Sequence, residues 1–145
     1  PSLAILAAAM PIMGIGLWPS VIALVVLAVP PLLLNTIIGI REVESAVLDA
    51  ANGMGMGRAE ILWQIELPLA VPSILSGVRT AAIQVIGGAA LASFIGGGGL
   101  GDFINAGIAI MDMPRLLVGA IPIAFLAIFA ELAFGWLERS VANRR

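Results

Sequence analysis

The chain has 145 residues, 61% of them hydrophobic and 11% charged, with a mean hydropathy of +1.11. Soluble domains carry about a quarter charged residues, and a chain this short leaves much of its surface outside any core, so lipid must cover the apolar excess. It contains no Cys, His or Lys, which excludes disulfides, thiol nucleophiles, Cys/His metal sites, imidazole acid–base chemistry and a phosphate loop ending in Gly-Lys-Ser/Thr; the formal charge of −2 identifies no partner.

In chain order, residues 1–16 form an apolar run short of the roughly 20 residues needed to span a bilayer. This partial span reads as the end of a membrane helix whose start is missing. Pro1 is preceded by no initiator Met and no charged leader, so the chain reads as an N-terminally truncated fragment. Gly14-Ile-Gly-Leu-Trp-Pro19 is a turn signal, with Trp18 suited to a membrane–water boundary. Residues 20–40 form a span interrupted by Pro30 and Pro31, a pair that acts as a gating hinge or a static kink; Asn35 and Thr36 lie near its inner end.

Residues 41–72 are a polar interruption. Within it, 43–54 is expected as a short helix with Ala46, Val47, Ala50, Ala51 and Met54 on one flat face. Gly53, Gly55 and Gly57 provide a break, and a second short helix from Arg58 carries Ile61, Leu62 and Ile65 until Pro68 limits it. A span over 73–95 follows, with Pro72 at its first position and Arg79 snorkelling to the inner boundary. Gly87 and Gly88 admit a neighbouring backbone or leave room for solute. Gly96, Gly97, Gly98 and Gly99 end this span, as a flexible or re-entrant connection at a pathway mouth or as a plain helix terminus. Residues 105–114 read as a segment outside the membrane. Residues 116–137, with Pro122 and Glu131, are the last span before a polar, basic tail. The expectation is one all-α, polytopic membrane helical bundle over 1–145, without the internal repeat from which self-contained carriers are built.

Residues 49–68, D-A-A-N-G-M-G-M-G-R-A-E-I-L-W-Q-I-E-L-P, resemble the EAA loop of the membrane subunits of bacterial ABC importers: E-A-A-x-x-x-G, nine residues, then I-x-L-P. Asp49, Ala50, Ala51, Gly55, Ile65, Leu67 and Pro68 fill those positions in register, with Asp49 where the family usually has Glu. N-T-I-I-G-I-R at 35–41, A-A-N-G-M-G-M at 50–56 and I-G-G-G-G-L-G-D at 95–102 are similar to the branch of permeases for glycine betaine, carnitine, choline and related osmoprotectants. The resemblance implies a type I ABC importer permease-like fold in the bacterial inner membrane. It implies four partners: an ATP-binding cassette subunit docked on the 49–68 loop, a second permease subunit, an extracytoplasmic solute-binding protein and the lipid bilayer. ATP and Mg would be bound by the ATPase subunit and no cofactor by this chain; nucleic acid has no part. Within the loop, Asp49 would orient or cap the docking knob, and Ala50 and Ala51 would allow close contact. Gly55 would set the corner, and Leu67 and Pro68 would join it to the next span. Met54 and Met56 read as adaptable packing there.

With that loop in the cytoplasm, Arg41, Arg58, Arg79, Arg139, Arg144 and Arg145 are inside and Arg115 alone is outside, the asymmetry of an inner-membrane topology. The C-terminus is then cytoplasmic too. Candidates for pathway or gate are Pro30, Pro31, Asn35, Gly87, Gly88, Gly96, Gly97, Gly98 and Gly99. Glu131, ionisable within a span, is a functional candidate or an inner-interface or subunit contact. Gly96, Gly98 and Gly101 also spell G-x-G-x-x-G, but a membrane helix rather than a strand precedes them, so no dinucleotide site is assigned. Three Trp, five Phe and no Tyr, scattered along the chain, do not form an aromatic cage for a quaternary ammonium; the selective site is expected on the binding protein. The expected function is solute translocation coupled to a partner ATPase, not catalysis. The alternatives are a related permease for an amino acid, methionine or alkyl sulfonate, or a stand-alone carrier or channel.

Overall fold

Glycines, not prolines, mark three of the five breaks between helices among the described residues. The computed structural model describes residues 2–142. They form α1 (Ser2–Met13), α2 (Leu17–Arg41), α3 (Ser45–Gly53), α4 (Arg58–Ile61), a π turn (Leu62–Glu66), α5 (Leu67–Ala92), a 3-10 turn (Ser93–Ile95), α6 (Leu100–Ala109) and α7 (Met113–Ala142). No strand occurs among the described residues. Three connections turn on left-handed glycines: Gly14 and Gly16, then Gly55, then Gly96, Gly98 and Gly99. In that conformation a Cβ would crowd the following carbonyl oxygen. By contrast, Pro11, Pro30, Pro31, Pro72 and Pro122 all sit inside helices.

Several expected boundaries therefore move. Pro30 and Pro31 cannot donate to the carbonyls of Val26 and Leu27, yet α2 runs past them unbroken from Leu17 to Arg41; neighbouring helices and polar side chains make such interruptions tolerable in lipid. The short helix from Arg58 and the span expected over 73–95 are one continuous helical rod, Arg58–Ile95, 38 residues long. Pro68 does not stop it, and Pro72 is interior rather than first. The segment placed at 105–114 is the end of α6 and the start of α7, and α6 lies against α7, with Gly107 on Leu116 and Gly119 against Leu100 and Ile104. The last helix begins at Met113 and continues through Ala142, beyond the expected 116–137. Pro1, Arg144 and Arg145 lie outside the described residues.

Three helices are long and apolar enough to cross a membrane: α2, the Arg58–Ile95 rod and α7. They run antiparallel in sequence, with α5 between α2 and α7. Small residues let α2 and α5 approach closely. A Cβ built on Gly39 would stand 2.7 Å from Ser73 Cβ, one on Gly77 2.8 Å from Asn35 Cβ, and one on Gly88 2.7 Å from Leu24 Cδ2. These three contacts fix the register of the pair over its whole length. At the far end α1 closes the seam, with Leu6, Ala23, Ala92 and Ile95 forming a small buried cluster. The outward faces of α2 and α7 carry Val25, Val29, Leu33, Phe125, Phe129 and Trp136, all exposed, as a lipid-facing surface requires. Gly39 near Ser73, and Gly135 near Arg79 and Arg139, place Arg41, Arg58, Arg79 and Arg139 towards one end of the bundle. Arg115, at the start of α7, lies at the other.

Because Gly77 is filled and Gly87 has nothing within 4 Å, the two glycines respond differently to added bulk. Gly77→Val will cost about 1–3 kcal/mol by overpacking. Gly87→Ala will hold or raise stability, alanine being the better helix former. Thermal unfolding in detergent separates the two outcomes.

Candidate functional site

The element packed most sparsely on the rest of the chain is α3, which with α4 and the π turn forms an elbow. α3 begins after Glu44, whose backbone is extended, and ends in a glycine-closed cap. Gly55, at φ 80°, donates its N–H to the Asn52 carbonyl at 3.0 Å, and Met56 donates to the Ala51 carbonyl at 3.2 Å. This pair of bonds is the Schellman arrangement, which satisfies carbonyls that a helix end would otherwise leave open. Nothing lies within 4 Å of a Cβ on Gly53, Gly55 or Gly57, and of the three only Gly55 has a positive φ. The three-glycine break expected here therefore reduces to one residue, and what demands glycine is the backbone angle rather than crowding.

The flat face expected on α3 also divides. Ala51 is 0% exposed and turns inward, on the side where Leu48, Asn52, Arg58, Ile61 and Glu66 border a cleft of about 390 Å³. Ala46, Val47, Asp49, Ala50 and Met54 are exposed, Met54 at 74%. Asp49 lies in the middle of α3 and makes no hydrogen bond or ion pair among the described residues, so it does not cap the helix; its carboxylate is presented outward. α3 touches the rest of the chain sparsely.

The elbow joins the central span through the π turn. Leu67 donates its N–H to the Leu62 carbonyl, five residues back, in the wider loop that defines a π turn. Pro68 follows immediately. Its ring has no N–H to donate and would press on the carbonyl of Gln64 in a regular α-helix; the widened turn just before it accommodates both defects. Ile65 and Leu67 are half-buried and Pro68 is exposed. α4 and the central span are thus one continuous helix.

At the same end, Arg79 on α5 is clamped rather than simply snorkelling. Its guanidinium pairs with Glu131 and, at 3.1 Å, with Glu138 Oε2, both on α7. Gly135 lies between the two carboxylates, and a Cβ there would meet the Arg79 guanidinium at 3.5 Å. Glu131, Gly135 and Glu138 share one helix face. Three formal charges sum to −1 at this end of the α5–α7 contact. The sequence signal was present: a cation early in one span and an anion late in another can meet only when the two helices are antiparallel.

The other end is closed by a tight corner. Gly16 donates its N–H to the Ile95 carbonyl at 2.8 Å, and Gly97 donates to the Ala92 carbonyl at 2.9 Å. A Cβ on Gly97 would strike Ser20 Oγ at 2.7 Å, and Asn105 hydrogen-bonds Ser93. Gly98 and Gly99 return beside Ile86, Ala89 and Ala90. Of the candidate pathway residues, Pro30, Pro31 and Asn35 border one cavity, and the others are spread along the bundle. Pro31 and Asn35 also meet Gly77 towards the Arg41 end of the α2–α5 seam, Gly88 packs on Leu24 and Leu27 further along, and Gly97 lies at the opposite corner.

Residues 1–143 match the family model described as the binding-protein-dependent transport system inner membrane component. The chain belongs to this family. Similar proteins include the carnitine transport permease protein OpuCB of Listeria monocytogenes, 44% identical over 95% of this chain and 63% of that protein. The choline transport system permease protein OpuBB of Bacillus subtilis is 45% identical over 97% of this chain and 65% of that protein. The glycine betaine/carnitine/choline transport system permease protein OpuCB of Bacillus subtilis is 44% identical over 99% and 66%. This inner-membrane component thus spans about two thirds of the length of the curated relatives it matches. Its fold is that of a chain in the inward-facing MetNI methionine ABC transporter, with a TM-score of 0.84 over 97% of this chain and 68% of that one, at 21% identity.

If the Arg79 clamp holds α5 to α7, Arg79→Met and Glu131→Gln will each lower the melting temperature of the inner-membrane component in detergent. The double variant will lose less than the sum of the two, because both changes remove the same pair. Additive losses would show that the clamp does not act as a unit.

Proposed function

We propose that this chain is a membrane-spanning permease subunit of an ATP-driven, binding-protein-dependent importer for osmoprotectants such as glycine betaine, carnitine or choline. The observation that carries the reading is the elbow: a sparsely held helix, cornered at Gly55, whose second arm continues without a break into the central membrane helix. Such a lever is useful only if something pushes it. The chain lacks Lys and hence a Gly-Lys-Ser/Thr phosphate loop, so the pushing partner is a separate ATPase subunit that holds ATP and Mg. The relatives named for carnitine and choline transport support the solute class.

In this reading Ala46, Val47, Asp49, Ala50 and Met54 form the docking face, while Ala51 seats α3 on the following helix. The 49–68 loop and the C-terminus are cytoplasmic, on the side of Arg41, Arg58, Arg79 and Arg139. A second permease subunit completes the path, and an extracytoplasmic solute-binding protein delivers solute to the end closed by the Gly96 corner. Closure of the ATPase subunits displaces the elbow and shifts the bundle between two arrangements, so the solute need bind only weakly inside the membrane.

The test is solute-stimulated ATP hydrolysis by the reconstituted complex. Gly55→Val places a β-branched residue at φ 80° and will reduce stimulation by roughly tenfold, within the usual range of coupling energies. Gly55→Asn, which tolerates the left-handed region, will retain most of it. A thiol at Ala50→Cys will crosslink to the ATPase subunit, and one at Ala51→Cys will not. Unchanged stimulation in Gly55→Val, with no crosslink from Ala50→Cys, would overturn the docking role of the elbow; uptake that persists without any ATPase subunit would favour a carrier that needs none. Competition for uptake among glycine betaine, carnitine, choline and methionine decides the solute.

A further inference from the structure

The central helix α5 contacts α2 on one side and α7 on the other, but a third face remains open. Thr80, Gln84 and Gly87, at helical spacing, are all exposed. Gln84 lies about 16 Å by helical rise from Ile95 and the same distance from Ser73, which places it near the middle of a hydrocarbon layer about 30 Å thick. Thr80 Oγ1 is satisfied within its own helix, donating to the Ser76 carbonyl at 3.0 Å. The Gln84 amide is hydrogen-bonded to nothing among the described residues. An unpaired amide facing acyl chains at mid-depth is costly, so this face does not meet lipid.

Two open cavities flank it, and Thr80 and Gln84 line both. One, of about 720 Å³, reaches across to Pro30, Pro31 and Asn35 of α2. The other, of about 310 Å³, includes Ser76, Arg79 and Glu131. Elsewhere on the bundle surface the mid-span side chains of α2 and α7 are aliphatic or aromatic.

We propose that the Thr80–Gln84 ridge is a solute-contacting wall of the translocation path, with Gln84 as the residue that meets the solute. The inference rests on the transport reading above and adds to it the helix face that the solute touches. The ligand class is a small polar solute carrying a carboxylate or hydroxyl, which accepts from the Gln84 carboxamide. An ammonium at its other end faces the net charge of −1 carried by Arg79, Glu131 and Glu138. A single uncharged amide gives the weak, reversible contact that a path requires, and it holds no aromatic cage that would trap a cation.

The absence of cysteine from the chain makes the test direct. In the assembled complex in membranes, Thr80→Cys and Gln84→Cys are treated with a trimethylammonium-bearing methanethiosulfonate; Val25→Cys on α2 and Phe129→Cys on α7 serve as lipid-facing controls. Thiolates form in water and are suppressed in apolar surroundings, so Gln84→Cys will react at least about tenfold faster than the controls, and saturating glycine betaine will slow it. Gln84→Leu will lose solute uptake while the complex still assembles, and Gln84→Asn will recover part of it. A Gln84→Cys thiol that reacts no faster than the controls would overturn the proposal. So would one that forms a disulfide with a second copy before it can be labelled, because the ridge would then be a subunit seam. Labelling reads water access alone. Labelling at Gln84→Cys, combined with no ATP-driven uptake by the complex that keeps Gln84, would refute the importer reading and leave this wall in place.

Discussion

Where Gly39, Gly77 and Gly88 lie against Ser73, Asn35 and Leu24, the two longest-shared helices of this bundle approach until one added methyl would collide. In lipid there is no hydrophobic gain from pressing apolar helices together, so association relies on close van der Waals packing and on polar contacts between helices. The α2–α5 seam uses the first means and the α5–α7 contact adds the second, through Arg79, Glu131 and Glu138. The central rod is gripped by shape on one side and by charge on the other.

The two grips respond differently to movement. Dispersion contact loses a quarter to a half of its strength when surfaces part by as little as 0.5–1 Å, roughly, whereas attraction between charges falls only in inverse proportion to distance. Sliding of α5 against α2 therefore meets resistance at once and favours discrete registers. The clamp on α7 can stretch and re-form while remaining attractive. Under the importer reading proposed above, a rod held in this way would move between positions rather than deform in place.

Much of this was legible in the chain. Composition alone demanded lipid, the three spanning helices stand where the apolar runs lie, and the corner at Gly55 follows from the spacing of the loop motif. What escaped was whatever depends on a backbone defect or on a partner distant in sequence. Pro68 reads as a stop because a proline removes a donor; the π turn that absorbs it leaves no mark in composition. Ala50 and Ala51 look equivalent as letters, and only the path of the following helix turns one outward and the other in. Gly77 passed as one small residue among many, although it meets Pro31 and Asn35 more tightly than Gly87 meets anything. Arg79 and Glu131 could be paired only once α5 and α7 were known to be neighbours.

The widened turn before Pro68 also hides a residue. A helix advances about 100° per residue, so one residue added to a regular helix would turn everything beyond it by more than a quarter of a revolution. A π turn contains one residue more than the α-turn it replaces, and here the surplus is taken up between the Leu62 carbonyl and the Leu67 N–H. The rod therefore runs on through Arg58–Ile95, and the irregularity that admits Pro68 stays confined to a single turn.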